Sequence, residues 1–124
     1  MQLNLERPDY QYFLRGADGR AALVNDRRIE RSFVISPDTL IEAWPVHDAR
    51  GMVPADLDPL IDLRPELVVL GTGADQVFPP AAVMAACLQR GIGIEVMTNA
   101  AAARTYSVLA GEGRRVVAGF VFAA

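Results

Sequence analysis

The chain has 124 residues, 52% of them apolar, and a formal net charge of −3 at pH 7. That length sets one domain, residues 1–124, large enough to bury a core without disulfide or metal staples, and the apolar share excludes a disordered chain. The acidic balance gives no electrostatic reason to bind nucleic acid or an anionic membrane, and no apolar run nears the roughly 20 residues that span a bilayer.

The opening segment, "MQLNLERPDY", contains no apolar leader, so a soluble cytoplasmic protein is expected. "YQYFLR" (Tyr10 to Arg15) reads as a strand, Asp18-Gly19 as a hairpin turn, and "AALVN" (Ala21 to Asn25) as the returning strand. Arg27, Arg28 and Arg31 stand among Asp26 and Glu30, which reads as a solvated turn rather than a nucleic-acid patch. "SFVIS" (Ser32 to Ser36) is a strand closed by a turn at Pro37-Asp38. "TLIEAW" (Thr39 to Trp44) reads as a further strand with Leu40, Glu42 and Trp44 on one face.

A turn-rich segment follows. Leu57, Leu60, Ile61 and Leu63 suggest a short helix begun around Pro54 to Asp56 and ended by Pro65. Val68, Val69 and Leu70 form a continuous apolar strand of the kind buried on both faces of a parallel sheet. A helix through "AAVMAACLQR" is expected to turn Val83, Met84, Cys87 and Leu88 inward before Gly91 and Gly93 stop it. "IGIEVM" (Ile92 to Met97) is the next strand. Thr98 or Asn99 caps a second helix, Ala100 to Ala110, and Arg114 to Phe122 is the closing strand. A β-rich front joined to a β-α-β-α-β back gives an α/β domain of three layers: a central mixed sheet, flanking helices and an additional N-terminal β layer.

The residue inventory excludes much chemistry. All 12 basic residues are arginine, so there is no Schiff-base lysine and no P-loop lysine. One cysteine, Cys87, and one histidine, His47, supply neither a disulfide nor a cysteine- or histidine-rich metal centre, and no cofactor or metal is expected. Ser32, Ser36 and Ser107 have no histidine placed near them by sequence, so a catalytic set is hard to assemble. One crevice does suggest itself. If the strands at 67–70 and 92–96 are parallel, their C-terminal ends share a sheet edge, where Gly71, Thr72 and Gly73 face the helix start at Thr98 and Asn99. A helix start favours an anion. Arg104, Thr105 and Tyr106 lie along the same helix, and Glu112 stands at its end. Arg104 is expected to pair with a carboxylate from Glu66, Glu95 or Glu112.

The segments "SFVISPDTLIEAWPV", "PELVVLGTG", "GIGIEVMTNAAAARTYSVL" and "EGRRVVAGF" occur here in the order seen in one domain family. In them the chain resembles the small α/β family of unknown biochemical function that includes mitochondrial complex I (NADH dehydrogenase) assembly factor 3 and the adipogenesis-associated domain protein. The resemblance covers nearly the whole chain. It implies a compact α/β fold with a central mixed sheet, flanking helices and an extra β layer. It also implies a signature at Gly71, Thr72 and Gly73, at Arg104, Thr105 and Tyr106, and at Glu112 and Arg114. Relatives often carry Cys before that Arg and Asn after that Tyr. This chain has Ala103 and Ser107, which puts any mechanism needing the cysteine in doubt. The mitochondrial relative acts through protein contacts. The expected function is therefore a non-catalytic, assembly-factor-like module for an unknown protein partner, with self-association as one form of it. The alternative is a small-ligand or anion-binding domain, or an enzyme of unknown type, using the 71–73/98 crevice.

Overall fold

The computed structural model describes residues 10–124; the opening segment, in which no apolar leader is read, lies almost wholly outside them. Eight strands and three α-helices are present among the described residues. Strands β1 (Leu14–Ala17), β2 (Ala22–Val24) and β3 (Arg27–Ile29) form an antiparallel three-stranded sheet. Strands β4 (Phe33–Ile35), β5 (Leu40–Ile41), β6 (Leu67–Gly71), β7 (Gly93–Met97) and β8 (Val116–Phe120) form a mixed sheet in the order β5-β4-β8-β6-β7. β6 runs parallel to β7 and β8, while β4 is antiparallel to β8. The helices are α1 (Asp58–Ile61), α2 (Ala81–Leu88) and α3 (Asn99–Gly111).

The continuous apolar strands are explained by burial on both faces. Val34, Val68, Leu70 and Val117 point into a core shared with Trp44, Leu57, Leu60, Val83 and Cys87. Their chain neighbours Phe33, Ile35, Val69, Val116, Ala118 and Phe120 point into a second core with Ala102, Ala103 and Tyr106 of α3. That second core also takes in Leu14, Ala22, Val24 and Ile29, so α3 is clamped between the two sheets. The Phe33 and Phe120 rings stack at 5.1 Å inside it.

Three local expectations are corrected. The Asp26–Glu30 stretch is not merely a turn: Arg27–Ile29 is a strand, reached through a two-residue hairpin at Asn25-Asp26 with Asn25 at φ 52. Its charges are spoken for, since Arg27 makes a two-pronged hydrogen bond to Glu42 and Arg28 bonds Glu30. The strand expected over Thr39–Trp44 stops at Ile41, because Ala43 takes φ 61. That twist sends Glu42 outward to Arg27 and turns Trp44 into the core, where its indole N–H donates to the Asp56 carbonyl at 2.9 Å. Leu88, expected inward, is 60% exposed, and Ala86 takes its place in the core.

The six-membered ring of the Trp44 indole packs against Gly119 of β8. A Cβ at Gly119 would meet the indole at 2.8 and 2.9 Å and Leu60 at 3.2 Å. Gly119→Ala should therefore destabilise the fold by about 1–3 kcal/mol through overpacking, measurable by urea unfolding. A change within about 0.5 kcal/mol would show that the contact is slack.

Candidate functional site

The end of β6 and the start of α3 do come together, as the crossover connection requires. What fills the space between them is Asn99. It is fully buried, and its carboxamide is used up by the backbone: Oδ1 accepts from Gly73 N–H at 3.0 Å, and Nδ2 donates to the Asp18 carbonyl at 3.0 Å and the Val121 carbonyl at 3.1 Å. Asn99 N–H donates in turn to the Gly73 carbonyl. Gly71 is required for this approach, because a Cβ there would collide with Asn99 Oδ1 and crowd Phe120 and Ala102.

Thr72 closes the loop in the same way. Its hydroxyl donates to the Asp75 carbonyl at 2.6 Å and accepts from Val77 N–H at 3.0 Å. Gly73 sits at φ 106, a conformation that strains residues with a side chain. Thr98 caps its own helix by accepting from Ala101 N–H at 3.2 Å. The polar atoms of the crevice are thus satisfied by one another rather than aimed at a vacant position. Phe78 does not plug it, being 64% exposed.

The remaining candidates are spread along α3. Arg104 is exposed and makes no ion pair with Glu66, Glu95 or Glu112, so the expected pairing is corrected: Glu66 instead holds Arg114, at 3.3 Å, and accepts from Arg115 N–H at 3.1 Å. That contact, with the backbone bond, holds the Glu66 carboxyl below its ordinary range. Thr105 is half-buried on the flank of the helix. Ser107 donates to the Leu14 carbonyl at 2.9 Å, tying α3 to the three-stranded sheet. Glu112 is an exposed residue at the helix C-terminus, about 20 Å from Thr98 at 1.5 Å per residue.

Tyr106 differs from all of these. Its ring is completely buried, and its hydroxyl has no hydrogen-bond partner among the described residues. Burial pushes its pKa far up, and the charges of Tyr10 and Asp38 add to the effect. Both line a cleft of about 330 Å³ together with Ser36, Arg114 and Arg115. Sequence reasoning missed this cleft. Its walls come from residues that only the β4–β8 pairing brings together, and no local spacing signals that. Cys87 is fully buried and its thiol pKa is raised by burial, which disfavours a nucleophile. No group of side chains able to hold a metal ion occurs among the described residues.

Asn99→Ala should cost about 3 kcal/mol or more, because it removes the partner of three backbone groups at once, one of them in a buried bond. Chemical denaturation checks this, and a loss under 1 kcal/mol, order of magnitude, would mean water replaces the amide. The carboxylate of Asp18, which accepts from Arg20 and Ala21 N–H, should titrate below the ordinary value near 3.9, seen by carboxyl NMR. Its contribution to stability is present above the unfolded-chain pKa and lost as pH falls through the folded value.

Comparisons with known proteins agree with this architecture. A structure of the Xanthomonas campestris protein XCC1710 is 55% identical, with 98% of this chain and 92% of that one covered and a TM-score of 0.82. A crystal structure of a Bordetella parapertussis protein is 28% identical over 93% of this chain and 98% of that one, with a TM-score of 0.84. A 13 kDa major membrane protein of Francisella tularensis is 28% identical over 71 residues, which cover 57% of this chain and only 58% of that protein's length. No helix among the described residues is long and apolar enough to cross a membrane. Residues 15–121 match the family described as protein of unknown function (DUF498/DUF598), also called Mth938-like, which includes relatives of complex I assembly factor 3, and the chain belongs to that family.

Proposed function

We propose that this protein is a non-catalytic binding module that docks a protein partner on the outer face of α2. The observation that carries the reading is the composition of that helix. Ala81–Leu88 reads AAVMAACL, with no charged or polar residue on any side. A helix apolar all round belongs in an interior. Here only Val83, Ala86 and Cys87 are buried, while Ala81, Ala82 and Leu88 face outward. Phe78 just before the helix is 64% exposed, and Val53, leading into the 3-10 turn that packs on α2, is 54% exposed. Exposed apolar residues grouped in this way mark contact surfaces more often than isolated ones do.

The outward alanines let another helix approach closely, and the lack of charge matches an apolar helix face rather than an acidic or basic peptide. An assembly-factor-like role fits the family without being fixed by it, because a shared fold does not determine function. The crevice at Gly71–Gly73 and Thr98 is not favoured as a ligand site, since its own side chains satisfy its backbone.

A photo-crosslinking residue placed at Leu88 in the native host should capture one partner, and the same residue at Val108, equally exposed on α3, should not. The purified partner should bind the wild-type chain at least tenfold, about 1.4 kcal/mol, more tightly than Leu88→Glu. Capture of a second copy of the chain would identify the partner as itself. Equal capture from both positions, or none from Leu88, would sink the reading.

A further inference from the structure

A sheet edge is open to pairing with another chain unless something blunts it. The described residues have four such edges, and three are blunted. β1 is bulged between Leu14 and Gly16 and packs against α3. β3 carries Arg27 and Arg28, each held by a carboxylate. β5 is two residues long and is followed by the positive φ at Ala43. β7 differs. It runs five residues in unbroken register with β6, has neither proline nor bulge, and has no strand on its other side among the described residues.

Two bonds fix which backbone groups face outward. Gly93 N–H donates to the Glu66 carbonyl, and the Met97 carbonyl accepts from Thr72 N–H. A trans peptide points its C=O opposite to the next N–H, so alternate residues of β7 serve the parallel ladder. Gly93, Glu95 and Met97 therefore bond β6, and the polar groups of Ile94 and Val96 face away from it with the Ile92 carbonyl. Gln76 Nε2 already donates to the Val96 carbonyl at 2.9 Å, and Ile92 N–H donates to the Cys87 carbonyl. The N–H groups of Ile94 and Val96 and the carbonyls of Ile92 and Ile94 remain.

That set matches itself. Place two β7 strands antiparallel with Ile94 opposite Ile94. The two Ile94 residues then exchange both bonds, and each Val96 N–H reaches the other copy's Ile92 carbonyl. No member of the set is left over in either copy. The same register suits the one charge on the strand. Glu95 is exposed and in no ion pair among the described residues, and it falls opposite Gly93, which has no side chain to oppose it. The neighbouring register, Ile94 opposite Val96, would set Glu95 against Glu95 and would need the carbonyl that Gln76 holds.

We propose that β7 is a self-association edge, on which a second copy of the chain pairs antiparallel about Ile94 and joins the two five-stranded sheets into one. The pairing uses the sheet edge and does not rest on the reading of the outer face of α2.

Sedimentation velocity of the full chain from about 10 μM to about 1 mM, a span that reveals micromolar to millimolar affinities, should show a reversible dimer. Hydrogen exchange at the Ile94 and Val96 amides should slow over the same range. Ile94→Pro takes from the backbone only an outward N–H, where edge strands tolerate proline, and should give a folded monomer. Gly93→Lys and Gly93→Glu add side chains at one spot, where the nearest atom is the flexible end of Leu67. Gly93→Lys should dimerise roughly tenfold more tightly than Gly93→Glu, because position 93 faces Glu95 of the other copy. Equal dimerisation of those two variants would overturn the proposal, as would exchange at Ile94 and Val96 that ignores concentration. So would a folded Ile94→Pro chain that dimerises like the wild type. A wild-type chain that stays monomeric throughout would also end it, leaving the edge to a strand from another protein.

Discussion

One amide side chain holds the topology together. Asn99 joins the turn after β1, the loop after β6, the exit of β8 and the first turn of α3 through a single side chain. Apolar burial supplies most of the stabilisation but is not directional. It would tolerate a small slide of α3 along the sheet. Three directed hydrogen bonds from one buried planar group do not, and burial strengthens them by lowering the local dielectric. The glycine at position 71 follows from the same constraint, since the amide needs the space a Cβ would take. What looks in sequence like the mouth of a ligand site also serves as a structural joint.

Much of the frame was legible from local pattern. Val68-Val69-Leu70 predicts a strand buried on both faces, and its residues do alternate between two cores. The helix beginning after Thr98 starts where the cap residue predicts, with Thr98 accepting from Ala101 N–H. Legibility failed wherever a distant partner decides the outcome. Arg27 and Arg28 resemble a solvated turn until β2 and Glu42 are seen to recruit them. Thr39–Trp44 has a strand's alternation, but the core's need for Trp44 bends the backbone at Ala43. The 71–73 motif was read as facing a helix cap, which it does; that Asn99 would fill the space is a matter of side-chain length and angle, which spacing does not encode.

The molecule's two unsatisfied features lie on opposite sides of the mixed sheet. The apolar outer face of α2 belongs to the side built on Trp44, Leu57 and Leu60. The Tyr106 hydroxyl belongs to the side built on the phenylalanines and α3. The sheet between them is packed on both faces, with strand residues alternating from one core to the other.

The position of β8 has a consequence for synthesis on the ribosome. The last strand among the described residues, Val116–Phe120, lies in the middle of the mixed sheet, and Ser32 and Phe122, 90 residues apart, are bonded beside it. Until that strand emerges, β4 and β6 have no common neighbour, and each leaves an unsatisfied edge open to other nascent chains. The parallel β6–β7 unit with its helix can form early from contacts close in sequence. Strands β4 and β5 cannot join it until β8 has been made, so the mixed sheet stays exposed to aggregation until that strand docks.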